Sequence, residues 1–308
     1  MEGASRLREV REVVAACAEY WETGKLSYEA DVVAACEGLL LGGATEVVVL
    51  DNHASGNPAN IGGGALPDGA RLETWNVWDL PQHEVGGMLQ VGYHARAGVD
   101  GFLSHTYFPG LRLRCDGELI SESHGRAWAA QAPLLGIIGN DLDASNLGSL
   151  AGTPFLVVQE SLGHGRARPV FGEREAQDAI RDFARECMEK RPLVDSARAP
   201  TRVTLAACLP HGDRVGETMA AGGWSRLGDV EYAVKLDTWA DARGPIAAAM
   251  QAGFALLEHL WSNELTTPEK ASSYDKDRAT LLRHAFMVWA DAREPDWVTA
   301  PTPAIGEV

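Results

Sequence analysis

What this chain can fold into is constrained most by short β-branched runs that each stop at residues able to carry a proton or a metal. Glu46–Leu50 (EVVVL) runs into Asp51-Asn52-His53, and Met88–Tyr93 (MLQVGY) runs into His94. Leu134–Ile138 (LLGII) runs into Gly139-Asn140-Asp141. Apolar runs of roughly four to eight residues, bounded by turn formers, read as buried strands. Between them lie stretches with helical spacing. Val32, Val33, Cys36, Leu39 and Leu40 recur on one face after Ser27, a candidate N-cap with Glu29 in the first turn, and Gly42-Gly43 ends the helix. Strands alternating with helices give an α/β fold with a mostly parallel sheet, whose ligands gather at the carboxyl ends of the strands. The expected architecture is a three-layer open, mostly parallel sheet domain followed by a smaller mixed α+β domain.

The remaining elements are read from local pattern. Leu111, Leu113 and Cys115 alternate into an Asp116-Gly117 hairpin turn that returns through Leu119. Glu122–Gln131 reads as a helix broken by Pro133. Further on, Phe155–Val158 and Val203–Leu209 read as strands, and Glu173–Lys190 as an amphipathic helix with Ala176, Ile180, Phe183 and Cys187 on one face. Val230, Tyr232, Val234 and Leu236 alternate as a half-buried antiparallel strand. Pro245–Leu260 reads as an apolar helix with proline at its first position, and Asp277–Ala290 as a last helix before a proline-rich tail. The expected division is 1–150 for the domain carrying the candidate site, 151–262 for the second, and 263–308 for a C-terminal extension.

Composition excludes several classes. The net charge of −16 over 308 residues argues against nucleic-acid binding through a broad basic surface. It suits a small cationic substrate such as a peptide amine, or simply solubility. No apolar run approaches the roughly 20 residues that span a membrane, and the opening MEGASRLREVREV has no signal-peptide core. The five scattered cysteines form no CxxC pair, which points to a reduced, cytoplasmic setting.

The chemistry concentrates in Val91–Glu122, VGYHARAGVDGFLSHTYFPGLRLRCDGELISE, which holds His94, His105 and Glu122. His53 follows a strand, Asp51 either caps a turn or supports His53, and Glu2 lies at the very start. Imidazoles and carboxylates are what zinc takes at hydrolytic centres, so the set reads as a metal-hydrolase centre. Each member also has a bland reading. Glu122 at a helix start answers the helix dipole, and the remaining histidines are structural or surface residues. Asn140 and Asp141, at a strand end, are candidates to line the cleft. No GxSxG elbow exists, no cysteine has a nucleophile's setting, and the Gly62–Gly64 loop fits no phosphate-binding pattern.

The stretches LDNHASG, VGYHARAG and GFLSHTY, the Glu122 region and VKLDTWADARGPIAAAMQAGFALL, in that order, resemble the D-aminopeptidase family of dinuclear zinc peptidases. The resemblance ends before Trp261. It implies two-domain α/β subunits in a decameric ring, two zinc ions per subunit, and hydrolysis of small peptides or amides. By the same resemblance Glu2 matches the glutamate of the N-terminal Ser-x-Asp-x-Glu-Gly signature, and His53 the histidine after the second strand. His94 matches the histidine of the GYHA motif, Glu122 the last carboxylate ligand, and His105 the catalytic histidine. The signature's aspartate falls ahead of Met1, so a functional polypeptide beginning upstream with a strand ending in Ser-x-Asp is expected. The same departure motivates a metal-deficient, non-catalytic reading. A non-peptide amidase or lactamase on the same centre is the other alternative.

Overall fold

The structure, a computed structural model, describes residues 26–51, 61–74, 77–82, 85–97, 99, 101, 104–107, 112–162, 167–191, 200–208, 213–228 and 231–252. Glu2, His53, Leu111 and the last expected helix lie outside the described residues.

Residues 26–41 form helix α1. Ser27 is therefore inside the helix and does not cap it. The nearby Glu29 is used otherwise, its Oε1 accepting a 2.9 Å bond from the Gly62 amide. The far end closes as expected. Gly43 takes φ +99, and the Gly43 and Ala44 amides bond back to Leu40 and Leu39 at 3.0 Å each, the paired pattern that satisfies last-turn carbonyls.

Eleven strands are described. β1 (Val47–Leu50) pairs in parallel with β2 (Ala70–Glu73). β3 (Met88–Tyr93) is followed by the hairpin of β4 (Arg112–Cys115) and β5 (Glu118–Leu119). Helix α2 (Glu122–Ala130) leads to β6 (Leu134–Asn140), the short α3 (Asp141–Ala144), β7 (Phe155–Ser161) and β8 (Ala167–Pro169). Then come α4 (Glu173–Lys190), β9 (Thr201–Cys208), α5 (Asp213–Ala221), β10 (Ser225–Arg226) and β11 (Glu231–Thr238). Helix α6 occupies residues 243–252.

A four-stranded sheet in the order β3-β6-β7-β8 is parallel except at β8. A five-stranded sheet in the order β10-β11-β9-β4-β5 is antiparallel throughout. The fold is thus mixed α/β, with parallel-containing sheets and helices packed on them. Residue 150 is no boundary between sheets: β4 pairs with β9, and β6 with β7. Pro245 is the third residue of α6, reached through a 3-10 turn at Trp239–Ala242. It is tolerated there because the first helical amides have no intrahelical partner.

Helix α2 has no solvent face beyond its first residue, since Ser123 to Ala130 are all buried. Ala127 packs with Leu134, Ile137 and Leu150 of the parallel sheet region. Trp128, Ala129 and Ala130 pack instead with Leu113, Leu205, Tyr232 and Trp239 beneath the antiparallel sheet. The Trp239 ring meets Trp128 edge-on at 4.8 Å, and its Nε1 donates to Gly125 O at 3.2 Å. On the other side of the parallel sheet α1 lies directly against α4. A Cβ on Gly38 would sit 2.7 Å from Ala184 Cβ and closer still to Arg181 O.

Candidate metal centre

His94 owes its position to a break in β3. Val91 pairs with Ile138 and Tyr93 with Gly139, leaving Gly92 as an extra residue at φ +79. A bulge of this kind bends a strand and re-aims the side chains beyond it. Glycine is needed there, because a side chain would have to adopt the left-handed conformation and would meet the Tyr28 ring at 3.2 Å. His94 Nδ1 lies 3.1 Å from Ala95 O. A carbonyl only accepts, so Nδ1 carries the hydrogen and Nε2 keeps its lone pair for a ligand.

The same Ala95 carbonyl accepts the His105 amide at 3.1 Å. The two imidazoles then stack with centroids 4.0 Å apart. Buried Thr106 ties this segment to the approach of α2: its Oγ1 accepts from the Ala97 amide at 3.1 Å and donates to Ile120 O at 3.2 Å.

Glu122 is the first residue of α2, after Ser121 in extended conformation. The turn is closed by a capping box in which His124 takes the place usual for Glu or Gln, its Nδ1 accepting from the Ser121 amide at 3.3 Å. Burial pushes the His124 imidazole down to about 4 and so keeps it a neutral acceptor. Below it, Ser123 Oγ donates to Asp143 Oδ2 at 3.2 Å, and Gln90 Nε2 donates to Ser123 O at 3.0 Å.

The Glu122 carboxylate is gripped from several sides. Oε1 accepts the Tyr107 amide at 2.7 Å and lies 3.8 Å from His105 Nε2. Oε2 lies 3.9 Å from Arg126 NH2. Burial alone would raise its pKa, but His105, Arg126, His94 and the Tyr107 amide together hold it below the ordinary carboxylate range. Tyr107 aims its amide from φ +59, a conformation costly for a non-glycine residue.

One ligand atom each from His94, His105 and Glu122 fall within 4.8 Å of one another. Two imidazoles and an ionised carboxylate in that space make a donor set suited to a divalent ion such as zinc. Glu2 and His53, expected beside them, lie outside the described residues. Asp51 follows β1 and is half-buried. Asn140 caps α3, accepting the Asp143 amide at 2.8 Å, and Asp141 Oδ1 accepts the Ser161 amide at 2.8 Å, so both are engaged structurally. Sequence reasoning passed over Arg126 and Tyr107. For Arg126 the available signal was its four-residue spacing from Glu122; Tyr107 carries none.

The sequence matches the D-aminopeptidase family over residues 1–247. Among solved structures, the Zn-dependent D-aminopeptidase DppA from Bacillus subtilis, described as a self-compartmentalizing protease, superposes with a TM-score of 0.65. Identity is 19%, with 77% of this chain and 87% of that chain covered, so the likeness speaks for the fold. A comparison with curated proteins finds no match.

Proposed function

Because the chain belongs to the D-aminopeptidase family, it is a peptide hydrolase, and we propose that its reaction is run by zinc held at His94 and Glu122 with His105 beside it. The observation that carries this reading is the convergence of the three ligand atoms within 4.8 Å. Glu2 and His53 are proposed as the further ligands, on the strength of the motif resemblance, and two zinc ions per subunit would need that fuller set. Zinc, when bound, supplies Lewis-acid polarisation of the amide carbonyl and acidification of the attacking water.

The chain's own groups do the rest. His94 is fixed in one tautomer by Ala95 O and presents Nε2. Glu122 is kept charged and is oriented through Oε1 by the Tyr107 amide. His105 Nε2, 3.8 Å from Glu122 Oε1, would take the proton given up by the attacking water as the C–O bond forms and pass it to the departing amine as the C–N bond then breaks. The acidic chain, with its −16 charge, favours approach of a substrate bearing a free α-amine.

The test is His105→Ala with zinc content measured alongside turnover of D- and L-dipeptides and simple amides. Turnover should fall by about 10²–10⁴ with zinc content unchanged, as for loss of a proton-transfer group. Loss of zinc instead would make His105 a third ligand, the second reading that the 4.8 Å cluster itself favours. Hydrolysis of simple amides but not of dipeptides would move the substrate class away from peptides.

Two further features belong to the proposal. A homo-oligomer is supported by the self-compartmentalizing description of the structural neighbour, and a decamer only by the motif resemblance. A cytoplasmic location is supported by the free, buried thiols of Cys36, Cys115 and Cys187. Among the described residues no helix is long and apolar enough to cross a membrane.

A further inference from the structure

Arg126 stands one helical turn beyond Glu122, on the same side of α2. It is buried, with 9% of its surface exposed. Its guanidinium lies over the Tyr107 ring, 5.3 Å from the centroid, and its NH2 faces Glu122 Oε2 at 3.9 Å. Tyr107 thus serves twice: its amide grips Oε1, and its ring carries the cation that faces Oε2. The 3.9 Å separation is an ion-pair distance and too long for a hydrogen bond, so Arg126 attracts Oε2 without occupying its lone pairs.

This placement has opposite consequences with and without a metal. In the metal-free protein a buried carboxylate needs compensation, and Arg126 supplies part of it beside His105 and the Tyr107 amide. Once a divalent ion shares that carboxylate, the same fixed cation opposes it. Repulsion between a single and a double positive charge is screened much less in a buried site than at the surface. An ion less fully neutralised by its surroundings is also a stronger Lewis acid.

We infer that Arg126 is a positioning residue that sets the metal affinity of this centre, standing as a fixed buried cation beside Glu122 Oε2 and repelling the divalent ion once it binds. The inference rests on the proposed metal role of His94, His105 and Glu122.

The test is competition for Zn²⁺ between a chromogenic chelator and the metal-free full chain, as wild type, Arg126→Met and Arg126→Lys, with thermal melting to check folding. Arg126→Met should bind Zn²⁺ at least about tenfold more tightly and turn over substrate more slowly. Arg126→Lys, which keeps the charge, should restore both toward wild type. Equal or weaker Zn²⁺ binding by a folded Arg126→Met overturns the inference and leaves Arg126 a packing residue. If Arg126→Met does not fold, Arg126→Gln carries the same two outcomes. Glu122→Gln separates the failures. Zn²⁺ binding that ignores Glu122→Gln removes the metal reading and this inference with it. Binding that needs Glu122 but ignores Arg126 removes this inference alone.

Discussion

At Glu122 burial favours protonation, and four neighbours reverse that preference. The charged form is what a metal needs, so the neighbours of Glu122 are as much a part of the proposed centre as its oxygens. Glu122→Gln keeps the shape and removes the charge. Zinc affinity should fall by at least about 100-fold, beyond the roughly 10–100-fold cost of losing an outer partner, as read by metal content after dialysis. The convergence of His94, His105 and Glu122 was legible in the sequence because each is a metal-competent residue beside a strand end, a tight turn or a helix start, where a sheet of this class brings side chains together. Arg126 was not. A Glu and an Arg four apart on a helix ordinarily make a solvent-exposed pair, and only the packing of α2 between two cores turns this one into a buried charge. Tyr107 was illegible for a different reason, since a positive φ at a tyrosine leaves no trace in residue type.

At the scale of elements, the α2–α3 junction holds two buried titratable groups with opposite responses to pH. Burial, reinforced by Glu122 and partly offset by the Ser123 hydroxyl, lifts Asp143 from 3.8 to about 7. The folded state therefore holds that proton more tightly than the unfolded state, and Asp143's stabilising contribution is complete below its unfolded value and is lost as pH rises through about 7. His124 runs the other way, from 6.5 down to about 4, so its contribution is complete above its unfolded value and is lost as pH falls through about 4. Thermal melts of the metal-free protein should show Asp143→Asn losing less stability than wild type between about pH 5 and about pH 8. Equal slopes for the two proteins would refute the assignment. The α1–α4 contact gives a second expectation. Gly38→Val forces a side chain into the Arg181 carbonyl and Ala184, and should cost at least about 1–3 kcal/mol in chemical denaturation. Helix α4 was legible to the residue, Glu173–Lys190, because a helix with one solvent face writes its period into the sequence. Ser27 was misread because a serine two residues before a glutamate signals a cap only when the helix begins there. Pro245 was misread because the turn at Trp239–Ala242 leads into α6 before the proline is reached.

For the whole molecule, local pattern named most strands but, beyond the β4–β5 hairpin, not their partners. The hairpin β4–β5 is plain in Leu113, Cys115, Asp116 and Gly117, yet its pairing with β9 joins residues far apart in the chain, as in Arg112 with Cys208. Pairing at that separation is decided by tertiary packing, for which neither alternation nor turn chemistry speaks. Assembly is testable at this scale too. Light scattering of the full chain should report a particle several times the 33.0 kDa of one subunit, and a clean monomer would count against a compartment built from copies. Helix α2 draws both cores onto a single stretch of nine residues that also begins with Glu122 and includes Arg126. Such a stretch has little freedom to drift: a change that retunes the chemistry is felt at once as a change in solubility and yield, and a change that eases folding is felt in the chemistry. Diversification of substrate preference among descendants of this chain should accordingly accumulate outside α2, while α2 passes through lineages nearly unaltered.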